Sequence, residues 1–365
     1  MKRVLIIVGT RPNFIKVTQF KRVAKTYPDI EVKIVHTGQH YDKNMAEVFF
    51  NQFGLEPDYF LNIGSDSANT QMANIMLGLE KLILEEFRPD LLIVPGDVNS
   101  TFAAALTANK MGIKIAHLES GLRSNDREMP EEVNRILTDE ISDYYFVTEE
   151  SGVKNLKDEL KCGEIHFVGN TMIDTLVAFE SEINATSILD ENKLEPQKYV
   201  LMTIHRPGNV DTKEGVETLY KLIDGLSEKY KIIFPIHPRT TKRIEEYGLT
   251  AKFDGLENLI STEPLGYFEF QKLIKHAAFV LTDSGGIQEE STFRQVPCLT
   301  LRSNTERPST VDIGSNTLVN FNLEELTERI EQIENGSYKT SAIPPFWDGK
   351  TTERILEVIS ETLNA

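Results

Sequence analysis

At 365 residues, 40% of them hydrophobic and 26% charged, the chain is long for one hydrophobic core, ample for two, and too apolar to be disordered. The net charge of −17 excludes a general nucleic-acid surface, which needs clustered Lys and Arg, but not a nucleotide held by a few placed cations and helix N-termini. Cys162 and Cys298, far apart and without CxxC spacing, exclude a disulfide scaffold or cysteine-built metal site, and point to a reducing, cytoplasmic setting.

No apolar run reaches membrane-spanning length, and the first strand starts too early to leave room for a signal peptide. In chain order, strands are expected at Arg3–Val8, Val32–Thr37, Leu91–Pro95, Lys114–Leu118, Tyr144–Val147 and Glu164–Val168. Helical patterns separate them, among them Phe14–Lys25, Asn69–Glu86 and Glu131–Asp139. The rhythm restarts with strands at Tyr199–Thr203, Lys231–Ile236, Asn258–Ser261, Ala278–Thr282 and Cys298–Leu301, and a last helix is expected at Thr351–Leu363. Continuous apolar strands flanked by helices predict parallel sheets covered on both faces. The expected fold is α/β: two Rossmann-like, doubly wound parallel-sheet domains facing a central cleft, where such sheets bind ligands at their carboxyl ends. The junction is placed near Gly169-Asn170, giving domains 1–170 and 171–349 and a C-terminal helix over 350–365 that could pack back on the first domain.

Unusual clusters sit just after these strands. Gly9-Thr10-Arg11-Pro12 opens the first helix without GxGxxG, and Arg11 and Lys16 at its start suggest an anion site rather than a dinucleotide fingerprint. Asp97 and Glu119 each follow a strand, and Glu131 and Glu132 open a helix in which Asn134 and Arg135 follow. One acid at a helix start is explained by the macrodipole or by capping. Asp97, Glu119 and Glu131 together suit proton transfer at carbon, because neighbouring carboxylates push their pKa values apart.

In the second half, His205 and His237 both follow strands, which suggests phosphate or leaving-group contacts. A zinc pair is the competing reading, but no HExxH or carboxylate-bridged triad accompanies them. Thr282-Asp283-Ser284-Gly285-Gly286 feeds a helix start whose N–H groups and Ser284 hydroxyl make a phosphate cradle, and Glu290 one turn on could accept ribose hydroxyls. The charged loop Arg302-Ser303-Asn304-Thr305-Glu306-Arg307-Pro308 could close over a sugar.

Taken in order, Glu119-Ser120-Gly121-Leu122-Arg123, Pro130-Glu131-Glu132-Val133-Asn134-Arg135, Thr282-Asp283-Ser284-Gly285-Gly286 and Thr305-Glu306-Arg307-Pro308 resemble the non-hydrolysing UDP-N-acetylglucosamine 2-epimerase family over essentially the whole chain. The resemblance implies the glycosyltransferase-B architecture, a homodimer, no cofactor and no metal. It also implies reversible C2 epimerisation to UDP-N-acetylmannosamine through UDP elimination to 2-acetamidoglucal and re-addition. It makes Asp97, Glu119 and Glu131 the acid/base group, with His205 assisting the phosphate. Arg11, Ser284, Gly285 and Gly286 are carried over to the diphosphate, Glu290 to the ribose and Phe270 to the uracil, with Lys16, Arg135 and Arg307 near the substrate. The chain departs from the family pattern at Asn13-Phe14, at Pro207-Gly208 and in Gly38-Gln39-His40-Tyr41-Asp42. The last two regions help form the second, activating substrate site of bacterial members, so weak or absent activation is expected. Gly38-Gln39-His40-Tyr41-Asp42 and Arg135-Ile136-Leu137-Thr138-Asp139 also resemble a sister group acting on UDP-2,3-diacetamido glucuronic acid. Further alternatives are a UDP-sugar glycosyltransferase and a nucleotide-sugar sensor without turnover.

Overall fold

The computed structural model describes residues 1–39, 52–64 and 66–363. Compact packing divides the chain into one unit of Met1–Ala178 joined by the chain from Pro345 onward, and a second of Phe179–Pro344.

The first unit holds a parallel sheet of β1 (Lys2–Val8), β2 (Ile30–His36), β3 (Tyr59–Phe60), β4 (Leu91–Pro95), β5 (Lys114–Leu118), β6 (Tyr144–Val147) and β7 (Glu164–Phe167). Their order is β3-β2-β1-β4-β5-β6-β7. Chain order therefore reverses between β1 and β4, which pair through Val4–Leu91, Leu5–Leu92 and Ile6–Ile93. All five residues of β4 are buried, because helices cover both faces of the sheet. On one face Leu5, Ile7, Leu92 and Val94 pack with Leu79 and Ile83 of helix Ala68–Glu85 and with Ala104, Ala105 and Ala108 of helix Asn99–Lys110.

The second unit repeats the plan with β8 (Tyr199–Thr203), β9 (Lys231–Pro235), β10 (Leu259–Thr262), β11 (Phe279–Thr282), β12 (Cys298–Leu301) and β13 (Asn316–Val319). Here the order is β10-β9-β8-β11-β12-β13, with the reversal between β8 and β11. Successive residues of β8 face opposite sides: Val200 and Met202 join one core cluster, Tyr199 and Leu201 another. The doubly wound parallel sheets expected from the sequence are thus present.

The elements differ from the expected ones in three respects. The helix read over Phe14–Lys25 is two short helices, Arg11–Ile15 and Phe20–Ala24, parted by a turn in which the Thr18 hydroxyl meets that of Thr175 at 2.5 Å. Strands β3 and β13 were not read from the sequence; β3 has only two residues, too few to show any alternation. The junction lies after Ala178 rather than at Gly169-Asn170, because helix Thr171–Ala178 is built into the first unit. The Thr175 hydroxyl donates to the Ile15 carbonyl at 2.6 Å, and Asp174 accepts the Thr351 N–H at 3.0 Å. The tail from Pro345 belongs to the same unit, with Trp347 buried and its indole N–H donating to the Thr148 carbonyl at 3.0 Å. Among the described residues no helix is long and apolar enough to cross a membrane.

Candidate active site

In doubly wound sheets ligands bind outside the carboxyl ends of the strands where chain order reverses. Just beyond such strand ends lie Asp97 after β4 in the first unit, and His205 after β8 and Ser284 after β11 in the second.

In the first unit the turn after β4 is drawn against the turn after β1. Gly96 has φ +67°, a left-handed conformation, and a Cβ on it would lie 3.1 Å from Lys16 Nζ, 3.2 Å from Asn13 Nδ2 and 3.5 Å from Glu119 Oε2. Lys16 and Glu119 form a buried ion pair. Asn13 donates to the Pro95 carbonyl at 3.0 Å and receives the Thr10 hydroxyl at 2.9 Å, tying the first helix to the β4 turn. Glu119 itself has φ +72°, which for a non-glycine residue costs on the order of 1–3 kcal/mol and persists only where the surroundings over-determine it.

Asp97, its side chain 26% exposed, is paired with the buried Arg135, which also donates to Glu132 at 2.6 Å. Glu132 is fixed in turn by the backbone N–H groups of Ser124 at 3.0 Å and Asn125 at 2.9 Å. Asn134 donates to the Asp97 carbonyl at 2.9 Å. The structure therefore joins Lys16 to Glu119 and Arg135 to Asp97. Glu131 is exposed in the first turn of helix Pro130–Ile141; Glu132, buried beside it, is the acid tied to Arg135. Arg11 is the first residue of the helix that follows β1.

Beneath the two carboxylates lies a network that sequence reasoning missed. His117, fully buried in β5, places Nε2 2.7 Å from the Gly96 carbonyl and Nδ1 2.6 Å from Asp139. A carbonyl only accepts, so Nε2 carries the proton that holds the Gly96 turn in place. Asp139 is also paired with Arg123 at 2.7 Å and accepts the Gly121 N–H at 3.2 Å. Burial pushes the Asp139 carboxyl up, but His117 and Arg123 outweigh it and hold the pKa below the usual range. The visible signal was a histidine in the otherwise apolar run Ile115-Ala116-His117-Leu118, two residues before a predicted acid.

In the second unit β11 runs into Asp283, Ser284 and helix Gly285–Arg294. Ser284 takes the N-cap position without capping the helix through its side chain, and its N–H donates to the Thr282 hydroxyl at 3.0 Å. The first-turn N–H groups, with Gly285 and Gly286 among them, belong to a helix start suited to an anion. Over that start lies Arg307: a Cβ on Gly285 would come within 2.9 Å of Arg307 Nη1, so any other residue would push the guanidinium aside. Arg307 pairs with Glu306 at 2.5 Å and Glu289 at 2.9 Å, and Arg302 with Glu306 at 2.9 Å. Glu290 is buried one turn into the helix.

His205 and His237, after β8 and β9, stack with ring centroids 5.2 Å apart. Burial, with the neighbouring His205 ring and the Arg239 guanidinium, holds the His237 pKa below its ordinary value. Phe270 is half-buried against the core cluster that contains Leu273 and Ile274. Of the departures from the family pattern, Pro207 opens the short helix Pro207–Val210, and His40, Tyr41 and Asp42 lie outside the described residues.

The family model for UDP-N-acetylglucosamine 2-epimerase matches residues 22–360. The chain belongs to the UDP-N-acetylglucosamine 2-epimerase family. A UDP-N-acetylglucosamine 2-epimerase of Methanococcus maripaludis is 42% identical over 368 residues, spanning 98% of each chain. A UDP-2,3-diacetamido-2,3-dideoxy-D-glucuronate 2-epimerase of Pseudomonas aeruginosa is 37% identical over 322 residues, spanning 87% of this chain and 88% of the other. Among solved structures, the Methanocaldococcus jannaschii UDP-GlcNAc 2-epimerase in complex with UDP-GlcNAc and UDP is similar with a TM-score of 0.87 and 41% identity over 99% of each chain. That likeness bears out the expected glycosyltransferase-B type of fold as well as the 2-epimerase family.

Proposed function

We propose that this chain interconverts UDP-N-acetylglucosamine and UDP-N-acetylmannosamine by eliminating and re-adding UDP. One observation carries the reading. At the β1/β4 reversal of a chain from a 2-epimerase family, two carboxylates follow neighbouring strands, Asp97 held by Arg135 and Glu119 by Lys16. One member of the acid/base group, Asp97, Glu119 and Glu131, takes the C2 proton. The C1–O bond breaks, its electron pair leaves on the β-phosphate oxygen, and 2-acetamidoglucal remains. A proton returned to the opposite face at C2 and attack by UDP at C1 complete the epimerisation.

The second unit supplies the leaving-group side. There Ser284, Gly285 and Gly286 are assigned to the diphosphate, Glu290 to the ribose and Phe270 to the uracil, with His205, His237 and Arg307 beside the phosphates; Arg11, in the first unit, keeps its diphosphate assignment from the family resemblance alone. Fixed donors that meet charge as it develops lower the barrier to departure of a diphosphate. The nucleotide-sugar substrate favours a cytoplasmic site of action, and the family resemblance favours a homodimer; a monomeric mass by light scattering overturns the latter.

A second reading, the diacetamido glucuronate sugar, is favoured by the Pseudomonas relative. Incubation with each sugar in heavy water, without an acceptor, tests both. Deuterium at C2 together with the 2-epimer is expected from UDP-N-acetylglucosamine. Release of free N-acetylmannosamine and UDP, or no exchange with that sugar, overturns the proposal; exchange with the diacetamido sugar alone selects the second reading.

A further inference from the structure

Asp283, the first residue beyond β11, is fully buried and reaches across the reversal point to the turn after β8. Its Oδ2 accepts the backbone N–H groups of His205 at 2.9 Å and Arg206 at 2.8 Å, and the Asn209 amide at 3.0 Å. No backbone or amide donor among the described residues reaches Oδ1, and His205 Nδ1 lies 3.0 Å from it. Three donors on one oxygen fix which oxygen faces the ring. The His205 side chain is 38% exposed, with His237 stacked on it and Arg239 next to His237. Burial raises the Asp283 carboxyl, but the imidazole, the Arg206 N–H and the Asn209 amide hold it below the usual range, as an ionised partner.

We propose that Asp283 is a positioning residue that keeps the His205 proton on Nδ1, so that Nε2 exchanges a proton with departing and returning UDP instead of only donating a hydrogen bond. This rests on the epimerase reading. As the C1–O electron pair leaves with UDP, the imidazolium Nε2–H bond breaks and an O–H bond forms on the β-phosphate. The neutral ring keeps its Nδ1–H toward Asp283, and re-addition runs the same transfer backwards.

Asp283→Asn is the decisive variant. The three donors hold its amide oxygen in the place of Oδ2, which turns the amide N–H toward Nδ1. The ring must then accept at Nδ1 and carry its single proton on Nε2, where it can donate but not let go. In the full-length protein a fall in kcat of about 10²–10⁴-fold is expected, the range of general acid–base catalysis, with the UDP Kd from calorimetry changed less than about threefold. The ¹⁵N shifts of His205 are expected to show Nδ1–H in the native protein and bare Nδ1 in the variant. His205→Gln, a donor that cannot exchange a proton, is expected to lose kcat similarly. Retention of kcat by either variant, or a native His205 without hydrogen on Nδ1, overturns the proposal. If the native protein itself fails to exchange the C2 proton, the epimerase reading falls, while the ¹⁵N shifts still decide the Asp283–His205 pairing.

Discussion

At the residue scale, the first unit sets two carboxylates beside two cations around a glycine that no other residue can replace without disturbance. Gly96→Ala would need φ +67° and would press a methyl group on Lys16 Nζ at 3.1 Å and Asn13 Nδ2 at 3.2 Å. A stability loss on the order of 1–3 kcal/mol is expected from the backbone alone, measured by denaturant unfolding, with a larger proportional loss of turnover because Lys16 and Glu119 must shift. Stability and turnover both unchanged would show that the turn does not set the site. Asp97→Asn keeps the shape of the side chain and removes its charge opposite Arg135. If Asp97 moves a proton, C2 deuterium exchange should drop by about 10²-fold or more while UDP still binds. Exchange at the native rate would remove Asp97 from the acid/base group.

At the scale of elements, the strand ends were legible because short, mostly apolar runs stop where glycine or a charged residue begins: Leu91–Pro95, Lys114–Leu118 and Cys298–Leu301 were read to the residue. The partners of the acids were less legible. Lys16 and Glu119 are separated by a hundred residues of chain, and His117, Asp139 and Glu132 do their positioning from inside the core, where no local pattern marks a polar residue as more than an interruption. His36, at the end of β2, is a similar case with a consequence for pH. Burial lowers its pKa to about 4, and its Nδ1 accepts the Gly38 N–H at 3.0 Å, which suits the neutral ring. Because the folded pKa lies below the unfolded value, the unfolded chain binds the extra proton. Stability therefore falls as pH drops from 6.5 toward 4, by at most about 3 kcal/mol from this group. His36→Gln should flatten that part of the pH–stability curve; an unchanged slope would assign it to other groups.

At the scale of the whole molecule, the chain is not two consecutive halves: it leaves the first unit after Ala178 and returns to it at Pro345. Sequence periodicity shows each helix but not which sheet it packs on, so the return of the last helix stood only as one option. The link is specific. Gly169, at φ +98°, has no room for a Cβ beside the Phe346 carbonyl, and Ile355, Leu356 and Ile359 are buried. Asp174 caps the helix Thr351–Thr362 through the N–H groups of Thr351 and Thr352 and the Thr352 hydroxyl, at 2.5–3.0 Å. Trp347, the single tryptophan of the chain, lies in this returning segment, so its fluorescence reports the first unit alone. Asp174→Ala leaves those buried donors without their acceptor, which should cost on the order of 2 kcal/mol and lower the melting transition seen by Trp347 by roughly 4–8 °C. Phe253, Phe279 and the rest of that core belong to the second unit and the cap to the first, so UDP affinity measured below the transition should be unchanged if the second unit holds the nucleotide. A Trp347 transition at the native temperature would mean that the returning helix is held by its apolar face and not by its cap.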